Sequence, residues 1–313
     1  MITIKDIATA ANVATSTVSY ALNNDPRIPE ETKHKIMKIA KDLGYQGKSG
    51  KKIGQGYSRQ VVLCLNSING AIYSEIVMSM KKVLNVNNCD LLIYIGKEVN
   101  RLKWLDGLFV LNSQVPTDAI QEVIERKIPV VIMDRKLDID GATSVSLANF
   151  DGGYETTSAI IKKGAKTFAF VGGPESSYES KERYNGFNKA LTDNYLQRKD
   201  TPVLQSDFTY NGGVNVSHFL LGLPTLPSAI ICANDEMAMG IMDGIAAKKP
   251  EALNKILFAG FDGSAPKRNI PYITARAERN HWGSLAAYTL LQNFDRSKSD
   301  KNITIPVELV EFF

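Results

Sequence analysis

The chain has 313 residues, 44% hydrophobic and 22% charged, enough for two or three cored domains and unlike a disordered or collagen-like chain. Its net charge of +4 is uneven: residues 1–52 carry nine Lys/Arg against five acids, and the remaining basic and acidic residues balance. Positive charge gathered on one short segment fits a phosphate-binding surface, and with no apolar leader and no apolar run approaching about 18 residues, a cytoplasmic protein without membrane spans is expected.

The opening residues 3–22 predict two short helices broken at Asn12 and Val13. Ile4, Ile7 and Ala8 share one face of the first, with Thr3 as cap and Asp6 in the place of a capping-box acid. Val18, Ala21 and Leu22 share one face of the second, leaving Thr15, Ser16, Ser19 and Tyr20 outward. Neither helix can bury its apolar face alone. A third amphipathic pattern supplies the support: Ile36, Ile39, Ala40 and Leu43 repeat at helical spacing after Pro29, and Gly44 can end the helix. This pattern predicts a helix-turn-helix headpiece whose second helix enters a DNA major groove.

Residues 46–59 hold four Gly, four Lys/Arg and a single aliphatic residue, Ile53, and read as a flexible basic linker. Gly47-Lys48-Ser49 resembles part of a phosphate loop, but Asp42 stands where the upstream glycine is required.

From Gln60 onward, apolar runs alternate with helical patterns. Strands are expected at 61–65, 91–95, 108–111, 130–133, 167–171, 229–232 and 256–261, and helices at 73–86, 117–126, 152–163, 180–192, 211–221 and 235–247. Two such sets predict two doubly wound parallel-sheet lobes, with a ligand site between them at the carboxyl ends of the strands. Cys64, Cys89 and Cys232 lie in apolar runs without metal-ligand spacing, and His34, His218 and His281 are scattered. With no Ser/His/Asp set, no carboxylate pair and no complete phosphate loop, neither an enzyme, a metal site nor a cofactor is expected.

The combination resembles the lactose/galactose repressor (LacI/GalR) family nearly end to end. Residues 3–8, 17–19, 22–23, 29–32 and 43–45 carry the likeness in the headpiece. Asp106-Gly107, Pro129-Val130-Val131 with Asp134-Arg135, Gly172-Gly173-Pro174, 183–187, Ala233-Asn234-Asp235 and Gly260-Phe261-Asp262 carry it in the remainder. The resemblance implies an all-α headpiece at 1–46, a hinge linker at 47–59 and a periplasmic-binding-protein-like α/β sensor at 60–313. Lobe 1 of that sensor would take about 60–148 and 278–304, and lobe 2 about 149–277 and 305–313. It further implies a homodimeric transcription repressor that binds double-stranded operator DNA and responds to a small effector, most often a sugar. Two headpieces held by one dimer reach operator affinities that a single short helix cannot.

By resemblance Thr15, Ser16 and Tyr20 take base-reading positions, while Thr3, Ser19 and Asn23 contact phosphates or cap helices. Many relatives have Arg where Tyr20 stands, and Tyr cannot make the bidentate guanine contact of Arg; packing on the third helix is the other reading of Tyr20. Relatives form a hinge helix in the linker and wedge a Leu into the minor groove. Here Gly54 holds that position and Ile53 is the available wedge, one residue out of register. Arg183 leads the expected effector set, with Asp262, Asp151 and Asn234 as hydroxyl partners and Tyr73 and Phe208 as aromatic walls. The plainer readings are core packing for the aromatics and capping for Asn234 and Asp262. Asp235 reads as a helix cap, and Asp134 and Arg135 either pair with each other or offer Arg135 to the ligand. Residues 95–105 are about ten short of the family's usual helix, with Trp104 as a candidate cover for the surface this bares. A purine or phosphoprotein regulator is the alternative within the family, and a solute-binding protein the alternative outside it.

Overall fold

The computed structural model describes residues 2–22, 25, 27–45, 58–68, 71–196, 201–264, 266, 270–294 and 302–312. Asn23, the linker glycines and the Ile53 wedge lie outside the described residues. The chain divides into two compact units, Met1–Arg59 and Gln60–Phe313.

In the first unit, α1 (Ile4–Ala11), α2 (Thr15–Leu22) and α3 (Glu30–Asp42) enclose a small core of Ile7, Ala8, Ala11, Val18, Ala21, Ile36, Ala40 and Tyr45. The Asp6 carboxylate accepts from the Thr3 backbone N–H at 2.7 Å and from the Thr3 hydroxyl at 2.8 Å, and those bonds lower its pKa. Asn12 ends α1 in the left-handed region at φ 54°, a conformation Asn tolerates. Gly44 turns the chain after α3 at φ 69°, letting the Tyr45 N–H reach the Ala40 carbonyl at 3.0 Å.

The second unit contains two six-stranded sheets. The first is built from β1 (Arg59–Leu65), β2 (Cys89–Ile95), β3 (Gly107–Leu111), β4 (Val130–Ile132), β5 (Ala142–Leu147) and β11 (Asn302–Ile305), in the order β2-β1-β3-β4-β5-β11. The second joins β6 (Phe168–Gly172), β7 (Val203–Gln205), β8 (Ala229–Cys232), β9 (Leu257–Phe261), β10 (Tyr272–Arg276) and β12 (Glu308–Phe312), in the order β7-β6-β8-β9-β10-β12. From β1 through β3, β4 and β5 to β11 the first ladder is parallel; in the second only the β10–β12 pair is antiparallel. Helices α4 (Ala71–Val86), α5 (Thr117–Glu125) and α11 (Arg279–Phe294) belong with the first sheet. Helices α6 (Asn149–Lys162), α7 (Tyr178–Asp193), α8 (Tyr210–Leu221), α9 (Asp235–Lys248) and α10 (Pro250–Leu253) belong with the second.

Central strands such as β3 and β6 are buried along their whole length, as sheets covered on both faces require. All seven expected strands and all six expected helices of this unit are present. The structure adds β5, β7, β10, β11, β12, α10 and α11, which apolar-run reading does not find. The chain changes lobe three times: at Ala148 between β5 and α6, at 277–278 between β10 and α11, and at 306–307 between β11 and β12. The Ala148 N–H donates to the Ile305 carbonyl at 2.9 Å, joining the first and third of these connections.

Two features noted in the sequence, the Asp106-Gly107 pair and the short segment after β2, take structural form. Asp106 pins the start of β1: its carboxylate accepts from the Gln60 N–H at 2.7 Å, and its own N–H donates to the Gln60 carbonyl at 2.8 Å. In the short segment after β2, where the resemblance leads to the expectation of a longer helix, the chain forms a single 3-10 turn (Val99–Arg101). Trp104 does not cover the bared surface, being 53% exposed; Val99 and Leu105 fill that role, buried against Leu108, Val123 and Ile132. The aliphatic pair fits the core without a polar N–H to satisfy.

Candidate DNA-reading surface and effector cleft

Helix α2 keeps Val18 and Ala21 in the headpiece core and turns Thr15 and Ser16 to solvent. Ser19 is half-buried and Thr3 gives its hydroxyl to Asp6. Tyr20 is 40% exposed and is not a member of the buried headpiece core. Its ring instead carries the Arg27 guanidinium, whose carbon sits 4.3 Å from the ring centroid. Arg27 is held in turn by Asp25: Nε donates to Oδ1 at 2.9 Å and Nη2 to Oδ2 at 2.7 Å. This fork pulls the Asp25 carboxyl down to about 2 and raises the guanidinium further.

In the second unit, both strand orders reverse direction at a switch point, between β1 and β3 and between β6 and β8, where the carboxyl ends leave a crevice. Arg183 of α7 occupies the second. It is buried, donates from Nε to Asn149 Oδ1 at 2.9 Å and from Nη1 to the Ala233 carbonyl at 2.5 Å, and lies 3.5 Å over the centre of the Phe261 ring. One guanidinium thus ties the starts of α6 and α7 to the ends of β8 and β9, with its plane fixed. Burial lowers its pKa, opposed by the charges of Asp262, Glu179 and Asp235.

Asp262 follows β9 with φ 119°, a backbone conformation few non-glycine residues adopt and one that stores strain. Burial raises its carboxyl, while Arg183 and Arg279 pull it back. Arg279, at the start of α11, donates from Nη2 to the Asp262 carbonyl at 2.8 Å, stands 3.7 Å from its carboxylate, and reaches Glu75 of α4 at 3.4 Å. These contacts span both lobes. Tyr73 of α4 is half-buried; burial raises its hydroxyl, and the charges of Glu179, Asp262 and Glu236 raise it further.

The other expected residues divide. Phe208, in the left-handed region at φ 66°, lays its ring over Gly173, where any Cβ would come within 2.2 Å of it. Asn234 caps α9, accepting from the Met237 N–H at 3.0 Å, and donates to the Phe208 carbonyl at 2.9 Å. Asp151 is exposed in the first turn of α6; the residue that meets Arg183 from that turn is Asn149.

Asp235 is not the cap of α9. Its buried carboxylate accepts from the Tyr272 hydroxyl at 2.5 Å, from the Thr274 hydroxyl at 2.8 Å and from the Ser264 N–H at 2.6 Å. Asp134 and Arg135 pair at 2.6 Å, and Arg135 gives its remaining bonds to the Asn112 and Val115 carbonyls at 3.2 and 2.7 Å. The second Asp134 oxygen is buried without a hydrogen-bond partner, and burial together with the charge of Glu179 pushes this acid up to about 7 against the pull of Arg135. Asn149, Phe261, Arg279, Glu75 and Glu179 are cleft residues that sequence reasoning missed. Among the described residues no group of three or more His, Cys, Asp or Glu is placed to hold a metal ion, and no helix is long and apolar enough to cross a membrane.

Comparison with known proteins follows these two units. Residues 3–47 match the model for bacterial regulatory proteins of the lacI family, and residues 99–310 match that for periplasmic binding proteins and the sugar binding domain of the LacI family. The chain is 32% identical over 273 residues to the probable HTH-type transcriptional repressor ExuR of Bacillus subtilis (strain 168), covering 84% of this chain and 82% of that protein. It is 26% identical over 325 residues to the HTH-type transcriptional repressor PurR of Actinobacillus pleuropneumoniae serotype 3 (strain JL03), covering 100% and 96%. Among solved structures, the fold is shared with the transcriptional regulator CelR–cellobiose complex, with a TM-score of 0.70 at 22% identity over 99% of this chain and 98% of that one. The lac repressor dimer bound to operator and the anti-inducer ONPF gives a TM-score of 0.71 at 22% identity over 99% and 97%.

Proposed function

This chain belongs to the LacI family of bacterial regulatory proteins, and from that premise we propose that it is a cytoplasmic homodimeric repressor whose operator affinity is set by a sugar held between its lobes. It is a DNA-binding transcriptional regulator with a small-molecule effector. Its headpiece is 1–46, its hinge 47–59 and its sensor 60–313. Thr15, Ser16 and Tyr20 read bases, Thr3, Ser19 and Asn23 lie along the backbone, and Ile53 approaches the minor groove. The basic headpiece separates this reading from a solute-binding protein of the same two-lobed fold.

The observation that carries the effector class is Arg183, buried, stacked on Phe261 and facing the strained Asp262 at a switch point. A planar donor beside a carboxylate acceptor suits adjacent hydroxyls of a sugar ring. Tyr73 and Phe208 wall the site, while Asn234 and Asp151 contribute at its rim. Two proteins of the same fold with a sugar bound, the CelR–cellobiose complex and the ribose-bound regulator from Enterococcus faecium, support the same class. A thermal-shift screen of the full chain against neutral sugars, sugar acids and purine bases tests it. A sugar at 100 times its dissociation constant adds about 2.7 kcal/mol. Stabilisation by a purine base and by no sugar overturns the sugar assignment while leaving the regulator intact.

A further inference from the structure

Position 20 on the outward face of α2 holds a tyrosine, which offers one hydroxyl and no paired donors. The structure brings a guanidinium to that same place by another route. Arg27, from the turn after α2, is 68% exposed in its side chain and lies over the Tyr20 ring. Three hydrogen bonds from backbone N–H groups hold the described residues Asp25 and Arg27 beside the end of α2. The Asp25 N–H donates to the Tyr20 carbonyl at 2.9 Å, the Arg27 N–H donates to Asp25 Oδ1 at 3.0 Å, and the Ile28 N–H donates to the Asp25 carbonyl at 3.1 Å.

The hydrogen bonds to Asp25 use one edge of the guanidinium, Nε with Nη2. The opposite edge, one N–H from each terminal nitrogen, is the fork that matches the O6 and N7 acceptors of guanine. Because Asp25 neutralises Arg27 at contact distance, the pair has little net attraction for phosphate, and its value lies in direction rather than charge. Tyr20 below and Asp25 beside it remove the rotamer freedom a long side chain would otherwise lose on binding.

We propose that Arg27 is a specificity-determining residue of this repressor: positioned by Asp25 and the Tyr20 ring, it reads a guanine in each operator half-site. The inference rests on the assignment of α2 as the DNA-reading helix.

The test is selection of a randomised double-stranded DNA library by the full-length protein, repeated with R27A, R27K and D25N. Wild type should enrich a guanine at one position of each half-site. R27A and R27K should lose that preference and bind the selected sequence about ten- to a hundredfold more weakly, with other positions unchanged. Because R27K keeps the charge and loses the fork, its loss marks geometry. D25N, which keeps Arg27 but loosens it, should weaken the same position by a smaller factor. A phosphate contact gives a different pattern: R27A then weakens all sequences alike and lowers the salt slope by about one, which overturns the proposal. An unchanged guanine preference in R27K overturns it too. If wild type enriches no sequence, the DNA-reading assignment itself fails and this inference falls with it.

Discussion

The two lobes share one strand order, yet their carboxyl edges are finished differently. In lobe 2 the buried Asp235 collects Tyr272, Thr274 and Ser264, and the buried Arg183 is fixed by Asn149, Ala233 and Phe261. In lobe 1 the buried acid at the carboxyl edge, Asp134 after β4, has Arg135 on one oxygen and no partner on the other. A satisfied polar network in a low-dielectric interior is rigid, whereas an unmet acceptor remains responsive to whatever charge faces it. Similar topology therefore yields one edge whose buried Asp235 is fully hydrogen-bonded and one whose buried Asp134 is half met, although burial raises both carboxyls.

The largest test of this contrast is Asp235→Ala. It leaves two hydroxyls and an N–H buried without their acceptor, and should lower the sensor's unfolding free energy by about 3–5 kcal/mol in urea titration. A loss under about 1 kcal/mol would mean that the edge of lobe 2 is not set as described. Arg183→Ala should cost about 2–3 kcal/mol by stranding Asn149 and Ala233, and should also abolish any sugar-induced thermal shift. A retained shift would move the effector away from this arginine.

Asp134 sharpens the comparison through pH. Its folded pKa, about 7, lies above the unfolded value of 3.8, so folding is favoured by the proton. That contribution is full below pH 3.8 and is lost as pH rises through about 7, the facing groups being Glu179 and Arg135. Across that window wild type should lose on the order of 4 kcal/mol relative to Asp134→Asn, at about 1.4 kcal/mol per pKa unit. Parallel stability–pH curves for the two proteins would show that Asp134 binds no more proton folded than unfolded. The smallest effect belongs to Trp104→Ala, an exposed side chain whose removal should change stability by less than about 0.5 kcal/mol.

Much of this was legible because buried parallel strands read as continuous apolar runs, and β1, β3, β6 and β8 do so. β5, Ala142–Leu147, escaped because two serines and a threonine interrupt its run although every residue is buried. α11 escaped because Trp282, Ala286 and Leu290 on one side and Gly283 and Ala287 on another are all buried, which blurs the helical period. At the site, Arg183 was readable from its motif, whereas Asp235 was misread as a cap. Its partners Tyr272 and Thr274 lie 37 and 39 residues away, and only the adjacency of β10 to β9 brings them to it. The stacking of Arg27 on Tyr20 was hidden for a related reason: it crosses a turn, and helical spacing says nothing about it.

Three separate peptide connections join the lobes, and the two at Ala148 and Ile305 are hydrogen-bonded to each other. Three tethers of fixed length resist twisting and pulling apart but permit folding about the line through them. Relative motion of the lobes is thereby reduced toward a single bending coordinate, which lets one small bound molecule specify the posture of the whole sensor. The same tethers make each lobe discontinuous in sequence, so no single truncation can release either one intact.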